Sequence, residues 1–88
     1  MRAPHGETCF EVEWTTDVQP DGFGGCEPDT GTAHVRYFPN KGLAMAHAKR
    51  VAPLDYFGVA IVTPVAWTND IWEYEPAGEA IYVEPAEA

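Results

Sequence analysis

The spacing of apolar residues changes at Pro39-Asn40, and this change constrains the fold more than any other feature. Residues 10–15 alternate between apolar and polar side chains, a period of two that indicates a strand with one buried face. Residues 41–52 instead carry apolar side chains three and four positions apart, which indicates a helix, and Asn40 is a favourable residue to cap its start. The sequence therefore predicts an α+β domain with one helix. The apolar stripe of that helix is predicted to comprise Leu43, Ala44, His47, Ala48 and Val51.

The remaining strands flank the helix. Residues 33–38 predict a second strand, and the β-branched run Val59–Trp67 predicts a central one in which Pro64 requires a bulge, an edge or a strand end. Two shorter strands are expected at Ile71–Glu75 and Glu79–Glu84. The predicted fold is ββαββ-like, with the helix packed on a small, mostly antiparallel sheet. Its core is predicted to include Phe10, Val12, Trp14, Val35, Tyr37, Ile61 and Val62.

The 88 residues are too few for two domains, so residues 1–88 are predicted to form a single one. Residues 17–31 contain four Gly and two Pro, a density that predicts a long loop. No apolar run approaches the roughly 20 residues of a membrane span. The first residues lack the apolar segment of a signal peptide, and the expected location is therefore the cytoplasm.

The formal net charge of −9 restricts the possible partners. Nucleic acids and anionic membranes are disfavoured because both are bound through Lys and Arg, of which there are five against 14 acids. The charges are also segregated. Residues 35–50 contain four of the basic residues and no acid, whereas residues 51–88 contain seven acids and no Lys or Arg. A basic protein surface is the partner that this layout favours.

Catalytic and metal-binding patterns are weak. The chain has no Ser, and its two cysteines, Cys9 and Cys26, do not lie at a spacing that pairs them with a histidine. His5, Cys9, Cys26 and His34 also lack the closely spaced pairs of structural zinc sites. We therefore predict no catalytic residues, no metal, no cofactor and no disulfide.

Two pairs of glutamates, Glu11/Glu13 and Glu73/Glu75, each lie two residues apart on a predicted strand. Each pair would share one face with its Cα atoms about 6.6–6.8 Å apart, given the rise of a strand. That spacing could suit a hydrolase, but it also suits recognition of regularly placed cations. The predicted partner-binding residues are Glu11, Glu13, Trp72, Glu73, Tyr74 and Glu75.

Part of the sequence resembles small phage-encoded anti-CRISPR proteins of type I. The matching residues are Ala48-Lys49-Arg50-Val51-Ala52, then Phe57-Gly58, then Val59-Ala60-Ile61-Val62, a pattern that extends over about half of the chain. The resemblance implies binding to a subunit of a type I CRISPR surveillance complex and a block of DNA binding or nuclease recruitment. It transfers no functional residue.

These observations predict a small acidic inhibitor, not an enzyme, that binds a nucleic-acid-binding complex such as a CRISPR-Cas effector. A second hypothesis is an accessory protein that self-associates, or binds a structural partner, through Trp67, Trp72, Tyr74 and Tyr82. A third is a small hydrolase that uses paired glutamates. The oligomeric state is not specified by any of these patterns.

Overall fold

The computed structural model describes residues 3, 5–20, 22–24, 26–27 and 31–85, without the side chains at 20, 26 and 27. Within these ranges one α-helix packs on an antiparallel sheet, which confirms the predicted α+β class. The elements are β1 (Thr8–Thr16), β2 (Gln19–Pro20), β3 (Cys26–Glu27), β4 (Thr32–Phe38), α1 (Lys41–Val51), a 3-10 turn (Ala52–Leu54), β5 (Ala60–Thr68), β6 (Glu73–Pro76) and β7 (Ile81–Val83).

The main sheet has the order β4-β1-β5-β6, and β7 pairs with β5 as well. All of its pairings are antiparallel. The predicted loop at 17–31 contains a small separate ladder between β2 and β3, so the expectation of a loop without strands was wrong there. Residues 21, 25 and 28–30 of that loop lie outside the described part of the chain.

The helix begins as the sequence predicts. The Asn40 side chain accepts a hydrogen bond from the Leu43 N–H (2.9 Å) and thereby satisfies one of the unpaired donors of the first turn. The helix ends at Val51, and Pro53 lies in the 3-10 turn that follows. The carboxylate of Asp55 then accepts N–H bonds from Thr15 and Phe57, both at 2.7 Å, and so fastens the turn before β5 to the end of β1.

Alanine side chains make the contact between helix and sheet. Ala44, Ala48 and Ala52 are completely buried, as is Ala60 at the start of β5. They pack with Val12, Val62 and Val83 of the sheet in one core cluster. Small side chains let the helix approach the sheet closely, which leaves little volume for a larger group.

Four of the predicted core assignments were wrong. Tyr37 and Ile61 are half-buried on the face of the sheet opposite the helix, outside the core cluster. Leu43 is 51% exposed, because it faces away from the alanine contact. Val35 is 44% exposed, because Phe38 pairs with Phe10 and so the helix covers the alternate residues of β4. Ring contacts hold that register: His34 stacks on Trp14 (5.2 Å between centroids), and Phe38 packs on the His47 ring (4.9 Å).

Pro64 produces the bulge that the sequence anticipated, but in the neighbouring strand. The Pro64 carbonyl accepts a hydrogen bond from the Ala77 N–H (2.8 Å) and so points toward the outer edge of the sheet. The backbone nitrogen of Pro64 points in the same direction, but it has no proton to donate. β6 pairs with β5 from Thr68 to Val65, and β7 resumes at Val62. Four residues, 77–80, thus lie opposite two, and the outer edge of the sheet is interrupted where a donor is missing.

A larger side chain at Ala48 tests the close contact between helix and sheet. We expect Ala48→Leu to lower the free energy of unfolding by about 1–3 kcal/mol, because it overpacks a completely buried site. Ala46→Leu, on the exposed side of the same helix, is the control and should change it by no more than about 0.5 kcal/mol. Urea unfolding followed by circular dichroism measures both. Equal effects of the two substitutions would contradict the packing described.

His47 makes the fold sensitive to acid. Its ring lies against Trp14 (5.3 Å) and Phe38 (4.9 Å), and its Nε2 is buried without a hydrogen-bond partner in the described structure. Burial lowers the pKa of His47, and the positive charges of Arg36 and Arg50 lower it further. The unfolded chain therefore binds a proton more readily than the folded one, and stability is lost as the pH falls through about 6.5.

We expect His47→Phe to remove part of this loss while it keeps an aromatic ring between Trp14 and Phe38. Urea unfolding at pH 7.5 and pH 5.5 provides the measurement. The difference in unfolding free energy between the two pH values should be smaller in the variant than in the original chain. An unchanged difference would mean that His47 does not carry the acid sensitivity.

Candidate protein-binding face

The single helix covers one face of the sheet, and we refer to the opposite face as the uncovered face. Residues paired across antiparallel strands point to the same side, so the register identifies its members. They are Cys9, Glu11, Glu13, Thr15, Ala33, Val35, Tyr37, Ile61, Thr63, Val65, Trp67, Tyr74, Pro76 and Tyr82.

Aromatic side chains roof one half of the uncovered face. Tyr37 on β4 and Tyr74 on β6 belong to strands separated by β1 and β5, yet their rings meet with centroids 4.8 Å apart. Trp67 packs edge-on against Tyr74 at 5.2 Å. Cys9 and Val65 lie on the intervening strands and are each 2% exposed, although no helix covers this side.

Hydrogen bonds attach the N-terminal segment to this aromatic roof. The Tyr74 hydroxyl donates to the Gly6 carbonyl (3.2 Å) and accepts from the His5 N–H (3.4 Å). Burial raises the pKa of the Cys9 thiol, with the negative charge of Glu11 acting in the same direction. A thiol kept protonated is a poor nucleophile, which argues against a cysteine-based reaction here.

The other half of the uncovered face has no roof, and we call it the open half. Glu11 and Glu13 lie at its centre on β1, with Val35 beside Glu13 on β4 and Ile61 beside Glu13 on β5. Tyr82 completes this row on β7 and is 68% exposed. The open half therefore presents two carboxylates, with Glu13 between apolar side chains and Glu11 between Tyr37 and Thr63.

These surroundings are unfavourable to the charge on Glu11. Burial raises the pKa of Glu11, and the neighbouring charge of Glu13 raises it further, while a hydrogen bond from the Tyr37 hydroxyl opposes both effects. The residues paired with the two glutamates are Tyr37, Thr63, Val35 and Ile61, none of which is an activated nucleophile. The attraction of an approaching cation would offset both the cost of desolvation and the repulsion between the two carboxylates.

The six predicted partner-binding residues do not form one surface. Glu73 and Glu75 pair with Thr68 and Ala66 and so lie on the side of the sheet that carries the helix. Trp72 lies in the preceding turn, with a φ of 55° and 56% exposure. The Tyr74 ring is half-buried in the aromatic roof. Glu11 and Glu13 are the two that the open half brings together.

Sequence reasoning placed Val35 in the core and named Tyr82 only for self-association, so neither was predicted to lie in the same row as Glu13. Tyr82 lies in a predicted strand, but its side follows from the register with Ile61, which no local pattern specifies. No group of three or more metal-ligating side chains is found among the described residues, and the side chain of Cys26 lies outside them. No helix in the described ranges has the length and apolar content needed to span a bilayer.

Replacing Glu11 tests the electrostatic description. We expect Glu11→Gln to raise the unfolding free energy at pH 7, because a group whose pKa is raised by folding destabilises the fold when ionised. The gain should shrink as the pH falls and the carboxyl of the original chain becomes protonated. Glu84→Gln removes the same charge at an exposed position after β7 and is the control. A gain at pH 7 equal for both variants would reflect net charge alone.

Comparison of the chain with protein-family models, with curated proteins and with solved structures found no match. Function is therefore inferred from the residues of the open half and from their chemistry.

Proposed function

We propose that this protein binds, through the open half of its sheet, a Lys/Arg-rich surface on a protein that normally holds nucleic acid. The observation that carries the proposal is the pair Glu11 and Glu13, two half-buried carboxylates on the face that the helix leaves free. Binding energy would come from apolar contact at Val35 and Tyr82, and selectivity from the two carboxylates.

The distribution of charge supports a basic partner. The described Lys and Arg residues lie on β4 or α1, and Arg36, the one on β4, points to the side of the helix, as shown by its contact with the Phe38 ring (5.6 Å). No described Lys or Arg therefore neutralises Glu11 or Glu13 from within the uncovered face. A net charge of −9 adds a long-range attraction that accelerates encounter with a positive surface.

The first partner to test is a subunit of a type I CRISPR surveillance complex in the cytoplasm of a bacterial cell. Two arguments support this choice: the resemblance of residues 48–62 to anti-CRISPR proteins, and the positively charged channel in which such complexes hold nucleic acid. Occupation of Lys and Arg side chains in that channel would exclude DNA. The activity is inhibition by binding, without catalysis.

A second candidate function is self-association or structural assembly through exposed apolar side chains. Leu54 and Phe57 are each 63% exposed near the start of β5, and Ile71 and Trp72 are about half exposed after its end. Salt dependence separates the two functions. A complex held by carboxylates weakens steeply as ionic strength rises, whereas an apolar interface changes little.

Charge reversal on the two faces tests the main proposal with a built-in control. We expect Glu11→Lys/Glu13→Lys to weaken binding to the surveillance complex, and inhibition of its DNA binding, by at least tenfold, because attraction becomes repulsion. Glu73→Lys/Glu75→Lys makes the same change in net charge on the other side of the sheet and should have less than a threefold effect. A single Glu11→Gln should weaken binding by less than about fivefold, because solvent still reaches this ion pair and Glu13 keeps its charge.

DNA-binding competition with the purified complex, at low and at moderate salt, provides the readout. Equal loss of binding in both double variants would indicate a general effect of net charge, not a contact through one face of the sheet. Full activity of the Glu11→Lys/Glu13→Lys variant would refute the role of the open half. No binding by the original chain would exclude this class of partner.

A further inference from the structure

The two edges of the sheet are protected to very different degrees. The edge formed by β6 and β7 is interrupted at residues 77–80, contains Pro76, and carries Glu73, Glu75 and Glu84. Breaks, prolines and charges of this kind are how proteins prevent an edge from pairing with another chain. β4, at the other edge, pairs with β1 over seven consecutive residues without a bulge, and has no Pro and no Lys.

The hydrogen-bonding direction of β4 follows from that of β1. The Glu7 carbonyl accepts from Trp67, and Thr15 bonds through its N–H to Asp55 and through its carbonyl to Tyr56. Odd-numbered residues of β1 therefore point their backbone groups toward β5, and even-numbered ones point toward β4. Their partners on β4 are Thr32, His34, Arg36 and Phe38.

The alternate residues of β4 consequently direct their backbone groups outward. The N–H and C=O of Ala33, Val35 and Tyr37 point away from β1, and no strand in the described part of the chain pairs with this edge. The side chains of the same three residues lie on the uncovered face. A strand added to β4 would thus extend the row that contains Val35 and Glu13 and the row that contains Tyr37 and Glu11.

We propose that the basic partner binds by adding an extended, antiparallel segment to β4, with Lys or Arg at two alternate positions on the side of the uncovered face. This inference rests on the proposed function. Residues opposite Val35 and Tyr37 would have the same two-residue spacing as Glu13 and Glu11, because both strands rise equally per residue. The added strand lies two strand spacings, roughly 10 Å, from β1. A Lys or Arg side chain that reaches inward from the added strand and a glutamate side chain that reaches outward from β1 together span that distance, passing over Val35.

The charge on the other side of β4 defines the motif further. Arg36 and His34 face the helix side, and Arg36 is exposed. A basic residue there would be repelled, so the residue between the two cations should be uncharged or acidic. The recognised sequence is therefore basic, non-basic, basic in extended form, which is recognition by strand addition with side-chain specificity from alternate positions.

Short peptides test this motif directly on the full chain. The probe is the acetylated, amidated peptide Thr-Val-Arg-Thr-Arg-Val-Thr. The matched control is Thr-Val-Arg-Arg-Thr-Val-Thr, in which the central Thr and the second Arg are exchanged, so that the arginines are contiguous while composition and charge stay the same. We expect the alternating peptide to bind at least tenfold more tightly at low ionic strength. Equal affinity for both would overturn the register argument.

Backbone N-methylation separates strand addition from simple charge attraction. Methylation of the two Arg nitrogens, which would face β4, should reduce affinity at least tenfold, whereas methylation of the first Val and the central Thr, which would face solvent, should change it less than threefold. On the protein, Val35→Pro removes one outward-pointing N–H donor and should reduce peptide affinity by a similar factor. The pairing of β4 with β1 should persist, because the Val35 N–H makes no hydrogen bond to β1. In the complex, amide exchange of Ala33, Val35 and Tyr37 should slow.

The outcomes distinguish this inference from the function on which it rests. If Glu11→Lys/Glu13→Lys abolishes peptide binding while both methylated peptides bind normally, the open half binds cations but β4 does not receive a strand. If that double variant binds the alternating peptide unchanged, the proposed function fails. If the alternating peptide does not bind, or leaves the three amides unprotected, strand addition to β4 is wrong.

Discussion

One helix can cover only one face of a sheet, and the arrangement of this molecule depends on how the other face is covered. The helix approaches closely through Ala44, Ala48 and Ala52, and the large rings lie around this contact. On the other face the sheet uses its own side chains as cover, because Tyr37 and Tyr74 reach over two strands to bury Cys9 and Val65. The rings do not extend over Glu11 and Glu13, and there the face stays open.

The open half combines features that are individually common in proteins. Carboxylates on strands usually point into water, and apolar side chains on an uncovered sheet usually meet a partner. Here the two coincide, so burial and repulsion raise the pKa of Glu11 in the isolated chain. Such a surface is less stable alone than it would be beside a cation, which is the property that the proposed binding function requires.

The sequence predicted the elements well and their faces less well. Asn40, Pro53 and the alternation at residues 10–15 act locally, so the helix and β1 were anticipated. The face that β4 turns to the helix depends on whether Phe38 or Tyr37 points that way. Each of the two alternate sets of β4 side chains contains one of these large aromatic residues, so the local pattern does not distinguish them. Stacking of His34 on Trp14 decides it, a contact between distant residues. For the same reason Val35 was assigned to the core and Tyr82 to a separate interface. Glu73 and Glu75 were likewise assigned to a surface that they do not share with Glu11 and Glu13.

The bulge opposite Pro64 has a consequence for how this chain can change in length. Residues 77–80 already lie outside the regular ladder, and Gly78 approaches the Pro64 ring so closely that an added Cβ would lie 2.7 Å from it. Doubling such a loop costs only about 0.6 kcal/mol of closure entropy. Extra residues between Glu79 and Ala80 would therefore leave both β6 and β7 in register. This point offers a place where evolution, or an experimenter attaching a fluorophore or a second domain, can lengthen the protein without disturbing either face.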